Sequence, residues 1–403
     1  MSDKKYLFKR NNVWWVKLAV PLSLRSELGY DLRRTTGEKS LDKAIPIRDK
    51  IIEEFKTEFQ IRKVNADDKG IVLRGTEHMQ KTDISDPQYF HKVVDCQYAC
   101  PAHTNVPEYI RLIAQKKYDD AYMLNWESNV FPGILGRTCD RPCEPACRRG
   151  RTHDKPVAIC RLKRVTYDYK NDIDPYLPDI PKVKNGKKIG LIGAGPASLT
   201  VARDLLPLGY EVTIFEKDNK PGGLMRTNIP SFRLPAEVLD EEVYRIIKMG
   251  AELKTNSYID SLEKVIDSFD AVFVGTGAPK GKDLEIPGRK EASENIHIGI
   301  DWLTSIAFEH TKSIGKKVIV IGGGNTAMDC CRTAIRLGAD DVKVTVRSPK
   351  SDMKASDWEL EEAIDEGIPI LDNTSPKEFL LDDEGKLKGM KFEKLEAQYT
   401  DGK

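Results

Sequence analysis

The sequence predicts an α/β fold dominated by parallel βαβ units, and three observations carry that expectation. Residues 187–217 and 316–347 each read as apolar strand, glycine turn, helical stretch and second apolar strand. Between Cys96 and Cys160 lie six of the eight cysteines, in a stretch whose apolar residues recur at helical spacing. Strands alternating with helices imply a parallel sheet covered by helices on its faces.

With 403 residues the chain has material for about two to four domains. A formal net charge of +1 gives no global reason to bind nucleic acid or a charged membrane surface. No apolar run approaches the roughly 20 residues that cross a bilayer. The opening MSDKKYLFKR lacks an apolar signal region, so a cytoplasmic location is expected. In such a chain, clustered cysteines point to metal or catalysis before structural disulfides.

Residues 1–66 read as a small α+β module. RNNVWWVKLAVP places aromatic and β-branched residues on both sides of Asn11-Asn12, a hairpin pattern. A short helix (Ser23–Leu28), a strand near Leu32–Thr36 and an amphipathic helix from Leu41 to about Ile61 complete it. Through RNNVWWVKLAVPLSLRSEL and LDKAIPIRDKIIEEF this module resembles the N-terminal segment of phage-type tyrosine recombinases. The resemblance implies DNA contact, with Lys9, Arg10, Lys17, Arg33 and Arg34 as phosphate-meeting cations. No recombinase catalytic domain follows, and a solvated basic face on an accessory module is the plainer reading. Residues 67–88, polar and without periodicity, read as a linker.

In the cysteine region, Cys96-x3-Cys100-Pro101 precedes a helical stretch over 106–128, then Cys139-x3-Cys143-x3-Cys147 and finally Cys160. Pro101, Pro142 and Pro145 keep the ligand turns out of helix. Soft sulfur donors suit zinc or iron–sulfur centres. The paired C-x2-C knuckles of structural zinc are absent, and the looser spacing favours iron–sulfur. His103, Gln97 and Glu144 are non-cysteine candidates by proximity alone.

The first βαβ unit, KKIGLIGAGPASLTVARDLLPLGYEVTIFEK, is Rossmann-like. Gly193 permits the tight turn, Gly195 the approach of a pyrophosphate, and the helix N-terminus offers unpaired N–H groups. Glu216, about twenty residues on, suits a ribose hydroxyl. Ser198 stands at the third small position and is expected to crowd helix against strand. Beyond it, PGGLMRTNIPSFRLP is too rich in glycine and proline for regular structure: Gly222 and Gly223 admit a flat ligand, and Arg233 suits a phosphate or ring carbonyl. Helix (Glu237–Met249), strand (Glu252–Asn256), helix (Leu262–Phe269) and strand (Ala271–Gly275) continue the alternation.

The second unit, KKVIVIGGGNTAMDCCRTAIRLGADDVKVTVR, fills the three small positions with Gly322, Gly324 and Ala327. It ends in Arg347, with Lys350 and Lys354 nearby, which suits a 2′-phosphate and favours NADP(H) over NAD(H). Cys330 and Cys331 point apart on a helix, so core packing explains them better than a redox disulfide, and a thioredoxin-reductase C-x-x-C pair is missing. A helix over Asp357–Glu366 and strands over Pro369–Leu371 and Leu387–Leu395 follow.

CQYACPAHTNVPEYIRLI, NVFPGILGRTCDRPCEPACRRG, PVAICRLKR and GLIGAGPAS, in that order, resemble the glutamate synthase small-subunit family and the N-terminal module of dihydropyrimidine dehydrogenases. The resemblance implies a helical iron–sulfur domain (89–182), an FAD domain (183–290) whose C-terminal part, with its Gly-Asp turn, is not supplied, and an NADPH domain (291–403). It implies FAD contacts from Gly193, Gly195, Pro196, Ala197, Glu216 and Lys217, from Gly223, Leu224 and Arg233, and from Gly275, Thr276 and Gly277. For NADPH it implies Gly322, Gly324, Asn325, Thr326 and Ala327 together with the three cations. It implies one [4Fe-4S] cluster using Cys100, Cys139 and Cys143; a second would use Cys96 and Cys147, with Cys160 as a substitute ligand and no cysteine in the stretch just upstream. The expected activity is electron transfer between NADPH, FAD and the cluster toward a partner subunit or ferredoxin-like protein, with no side-chain acid or base named. The alternative is a non-catalytic binding or assembly protein with a DNA-contacting N-terminal module.

Overall fold

The computed structural model describes residues 7–10, 13–19, 31–68, 94–153 and 155–396. The chain divides into two compact units, 1–90 and 91–403.

In the first unit, β1 (Leu7–Arg10) pairs antiparallel with β2 (Val13–Ala19), which pairs antiparallel with β3 (Asp31–Thr35). The hairpin register sets Arg10 opposite Val13, around the Asn11-Asn12 turn; that turn and the expected helix at Ser23–Leu28 lie outside the described residues. Helix α1 runs Leu41–Asp68, past the expected end at Ile61 and into the expected linker. Its Ile51, Ile52 and Phe55 pack with Val16, Leu7, Leu18 and Leu32 on one sheet face. Arg34, one of the expected phosphate-meeting cations, pairs with Glu54 and stacks on Phe55, and Lys9 lies over the Trp14 ring.

The second unit opens with helices α2 (Asp95–Ala99), α3 (Val106–Ala114), α4 (Tyr118–Asn129), α5 (Pro132–Thr138) and α6 (Ile159–Asp168). The single helix expected over 106–128 is two, because Lys116 adopts positive φ and breaks the hydrogen-bond ladder. Asn105 caps α3 by accepting from the Glu108 N–H. Val106, Tyr109, Ala121, Cys143 and Ile159 form the local core, so a cysteine is built into it.

A four-stranded parallel sheet follows, in the order β6–β5–β4–β7: β4 is Lys188–Ile192, β5 Glu211–Phe215, β6 Glu252–Lys254 and β7 Ala271–Val274. The helices between these strands are α7 (Pro196–Leu205), the short α8 (Leu224–Thr227) and α9 (Ala236–Lys248). Leu191, Leu199, Leu206, Ile214 and Ile246 are fully buried between sheet and helices, each contributing about 1.5–3 kcal/mol of transfer free energy. The helix expected over 262–269 forms only two 3₁₀ turns, Leu262–Lys264 and Ile266–Ser268. Val265, Ile266, Asp267 and Ser268 are poor helix formers, and Ser261 caps the first turn instead.

After α10 (Gly299–Ala307), which the sequence reading did not anticipate, β8 (Lys317–Ile321), α11 (Asn325–Arg336), β9 (Asp341–Thr345), α12 (Asp357–Asp365) and β10 (Ile370–Leu371) form a second parallel sheet ordered β10–β9–β8. Cys330 and Cys331 are buried in its core, as packing requires. The expected strand at 387–395 is β12 (Leu387–Lys394). Its antiparallel partner β11 (Thr374–Leu381) escaped the sequence reading because Pro376, Lys377 and Glu378 break the apolar alternation, where the ladder carries a register shift. Among the described residues no helix is long and apolar enough to cross a membrane.

Candidate functional site

Tyr109, whose ring is fully buried and whose hydroxyl donates to the Ile159 carbonyl at 3.0 Å, lies within electrostatic reach of four of the six clustered cysteines, Cys96, Cys100, Cys143 and Cys160. Cys143 lies within electrostatic reach of Cys100 and Cys139, Cys160 of Cys139, and Cys96 of Cys147. Cys100, Cys139, Cys143 and Cys160 are thus linked in one series of electrostatic neighbours, and Cys96 neighbours Cys147. All are free. Among the described residues no three Cys, His, Asp or Glu side chains converge on the position of one metal ion. A four-iron cluster takes one thiolate per iron, so its ligands stand farther apart than those of a single ion.

The donor set fits such a cluster. Burial pushes the Cys143 thiol up to about 12, against the pull of the Lys163 charge. At Cys100 burial also acts upward, but hydrogen bonds with the Thr104 N–H, the Thr104 hydroxyl (Cys100 Sγ donates to Oγ1 at 3.6 Å) and the Ala102 N–H, with the Lys163 charge, outweigh it and bring the thiol below its ordinary value. The Arg141 N–H donates to Cys139 Sγ at 3.4 Å. Cys160 Sγ donates to the carbonyls of Leu135 and Gly136, both at 3.4 Å, so here it acts as a protonated core thiol. Of the non-cysteine candidates, Glu144 accepts from the Cys160 N–H at 2.9 Å, His103 packs edge-on to Tyr98, and Gln97 Oε1 is buried without a partner.

The first glycine turn is assembled from four separate stretches. Gly193 has φ +90°, and a Cβ there would lie 2.7 Å from the Gly275 carbonyl oxygen. Gly223 has φ +53°, and a Cβ on it would meet Gly195 Cα at 2.8 Å. Neither position admits a side chain. The Gly222 N–H donates to the Ala194 carbonyl at 2.9 Å, tying the Pro-Gly-Gly loop to the turn. Glu216 is buried at the end of β5, and its carboxylate accepts from the Ala194 N–H at 2.8 Å and the Asp218 N–H at 3.0 Å. Pro196, Ala197, Lys217, Leu224, Thr276 and Gly277 are exposed around this cradle. Ser198 is fully buried, and a Cβ on Gly275 would fall 2.2 Å from its Oγ, so the crowding expected at the third small position is relieved by glycine across the sheet. Arg233 does not face the cradle. Its Nη1 donates to both Asp329 oxygens at 2.7 Å and its Nη2 pairs with Glu359, which satisfies the guanidinium fork. Asp329 is buried in α11 together with a second charged residue, Arg332, and an acid in that stretch was the readable signal for this pairing.

At the second turn the Gly322 N–H donates to the Thr345 carbonyl at 3.0 Å, and the N–H groups of Lys354 and Ala355 both donate to the Gly323 carbonyl at 2.9 Å. The chain after β9 is thereby folded over the turn, with Arg347, Lys350 and Lys354 exposed and without an ion-pair partner among the described residues. Asn325, at the first position of α11, accepts from the Ser356 N–H at 2.8 Å; Thr326 is exposed beside it and Ala327 is buried beneath.

Sequence reasoning missed the joint between the helical segment and the first sheet. Glu242 of α9, only 2% exposed, accepts from the N–H groups of Gly133 (2.7 Å) and Ile134 (3.0 Å) in the first turn of α5 and from the Tyr122 hydroxyl (2.9 Å). It thus caps the helix that delivers Cys139. Burial pushes Glu242 up to about 7, against these donors and the Arg245 charge. The native state therefore holds this proton more tightly than the unfolded chain, whose glutamates titrate near about 4.3. The contribution is full below that value and declines as pH rises to about 7. The melting midpoint of the parent relative to Glu242→Gln is expected to fall across that window in melts followed by circular dichroism; a difference independent of pH would contradict the assignment.

Residues 187–401 match the family described as pyridine nucleotide-disulphide oxidoreductase, and residues 89–174 match dihydropyrimidine dehydrogenase domain II, 4Fe-4S cluster. These matches give FAD, NADPH and a [4Fe-4S] cluster as the cofactors of the two regions. The chain is 34% identical to the NADPH-Fe(3+) oxidoreductase subunit beta of Geobacter sulfurreducens, over 79% of this chain and 50% of that protein. It is 34% identical to the glutamate synthase [NADPH] small chain of Azospirillum brasilense, over 70% and 62%. It is likewise 34% identical to the NAD-dependent dihydropyrimidine dehydrogenase subunit PreT homolog of Salmonella typhi, over 70% and 68%. The chain spans about half the length of the Geobacter protein. With more than half of its residues matched, it belongs to the pyridine nucleotide-disulphide oxidoreductase family.

Proposed function

We propose that this chain takes electrons from NADPH and passes them, through FAD and an iron–sulfur cluster, to a partner subunit or ferredoxin-like protein. The observation that carries the reading is a contact: the loop between Cys139 and Cys143 sits against the second dinucleotide unit. Asp140 Oδ1 accepts from Asn325 Nδ2 at 3.4 Å and from Ser356 Oγ at 3.2 Å, and the Arg141 guanidinium lies 4.3 Å from the centre of the Trp358 ring. Flavin, when bound, converts the paired electrons of a nicotinamide into the single electrons that an iron–sulfur cluster carries. The protein's part is to hold the three centres in register: Gly193, Gly195 and Gly223 clear the backbone for a pyrophosphate, Glu216 fixes the first turn, and the cysteine loop is anchored to α11. That similar proteins are named as subunits or small chains supports a partner subunit.

The exposed cations after β9 support NADPH as the donor. Arg347→Ala is expected to raise KM for NADPH about tenfold to a hundredfold, the worth of one or two charge-assisted hydrogen bonds, with KM for NADH unchanged. Steady-state dye reduction with each coenzyme measures both. Equal losses with the two coenzymes would remove Arg347 from 2′-phosphate recognition.

A further inference from the structure

Arg141 stands between two of the clustered cysteines and touches both the sulfur of one and the second dinucleotide unit. Its backbone N–H donates to Cys139 Sγ at 3.4 Å, and its guanidinium carbon lies 4.3 Å from the centre of the Trp358 ring. Its φ is +55°, in the left-handed region. The local sequence does not favour that conformation: a Cβ resists positive φ, and a residue before proline, as Arg141 is before Pro142, prefers extended backbone. Contacts from outside the turn must therefore hold it. The Arg141 Nε is buried and has no hydrogen-bond partner among the described residues, so the ring face is what receives the guanidinium.

Trp358 is itself fixed by the nucleotide-binding half of the unit. It lies in the first turn of α12, which Ser356 precedes as N-cap residue. The Ser356 N–H donates to Asn325 Oδ1 at 2.8 Å, and its hydroxyl donates to Asp140 Oδ1 at 3.2 Å. Just upstream, the Lys354 and Ala355 N–H groups donate to the Gly323 carbonyl. The ring that seats Arg141 is thus carried by the second glycine turn.

We propose that Trp358 is a positioning residue for the cluster ligand Cys139: by stacking on Arg141 it holds the left-handed turn that aims the Arg141 N–H at Sγ. The inference rests on the cluster reading given above. An N–H directed at a ligand sulfur stabilises the extra negative charge of a reduced centre and raises its potential. Trp358 acts through Arg141 alone.

The test uses the full chain, loaded anaerobically with ferrous iron and sulfide, as parent, Trp358→Leu, Trp358→Phe, Arg141→Ala and the double variant Arg141→Ala with Trp358→Leu. Each is titrated with dithionite against mediator dyes, and the reduced cluster is followed by electron paramagnetic resonance. Trp358→Leu is expected to lower the equilibrium constant for one-electron reduction about threefold to tenfold, a full tenfold being about 59 mV. Arg141→Ala is expected to lower it by the same amount. Trp358→Phe keeps an aromatic face and is expected to stay within about twofold of the parent. In the Arg141→Ala background, Trp358→Leu is expected to change nothing further, because the two side chains act as one contact. A parental potential in Trp358→Leu, or full additivity of the two substitutions, would overturn the proposal. If Trp358→Leu takes up no iron, Arg141→Ala decides: a parental potential there overturns the proposal, and a lowered one upholds it. A parent that takes up neither iron nor sulfide overturns the cluster reading and the proposal with it; a loaded parent whose potential ignores both side chains overturns the proposal alone.

Discussion

Arg233→Ala is expected to destabilise the second unit by about 3–5 kcal/mol, the range for breaking a buried ion pair by removing one partner. Three facts make the effect large. Arg233, Asp329 and Glu359 are each at most 10% exposed at the side chain, so the two carboxylates would be stranded in low dielectric. Burial already pushes Asp329 up to about 6, with Arg233 the main force opposing it. Arg332 reaches Glu359 only at 3.4 Å and is committed to Glu362 and Glu366 at 2.6 and 2.9 Å, so it is a poor substitute. The consequence is also functional. Arg233 ties the loop that borders the first turn to α11 and α12, and Phe232 beside it lies under the guanidinium groups of Arg332 and Arg336, at 4.9 and 3.9 Å from the ring centre. A double-mutant cycle with Asp329→Ala measures the coupling: the pair should cost well under the sum of the single losses. Additive losses in chemical-denaturation curves would show that the contact contributes nothing of its own.

Gly193→Ala is expected to abolish retention of FAD through purification while leaving the iron and sulfide content in place. Positive φ at this position costs a non-glycine residue about 1–3 kcal/mol, and the new Cβ would press on the Gly275 carbonyl, a backbone atom that cannot rotate away. Moving it would shift β7 relative to β4, whose register from Ile189 opposite Ala271 to Ile192 opposite Val274 aligns both sides of the cradle. An affinity loss of about a hundredfold is expected if strain and clash together reach about 3 kcal/mol. Flavin released by heat and read by fluorescence, beside an iron assay on the same sample, separates a local loss from global unfolding. A variant that keeps its flavin would mean that the turn is not the dinucleotide cradle.

Much of this was readable from the sequence because the chemistry is local. Each dinucleotide turn is written within about thirty consecutive residues, and both formed over the expected strands and helices. The cysteine spacing likewise announced its own region. What escaped were features that depend on distant residues meeting. Glu242 reads as one more acid on an amphipathic helix until the N–H groups of Gly133 and Ile134, 109 and 108 residues away, are seen to end on it. Arg233 suits a phosphate equally well on composition, and only the fold shows Asp329 and Glu359 in front of it. Lys163 sits inside PVAICRLKR with two other basic residues, Arg161 and Arg164, and is the one turned inward. The helix expected at 262–269 failed for a local reason, since β-branched and polar residues there favour short capped turns over a continuous helix.

The central claim is a single electron path from NADPH through flavin to an iron–sulfur centre, and the anaerobic absorption spectrum of the purified chain before and after NADPH tests it most directly. Iron, sulfide and zinc should be assayed on the same sample. Flavin bands above a broad iron–sulfur absorbance, both bleaching on addition of NADPH, are the predicted result. Zinc in place of iron, with no flavin and no change on adding NADPH, would contradict it.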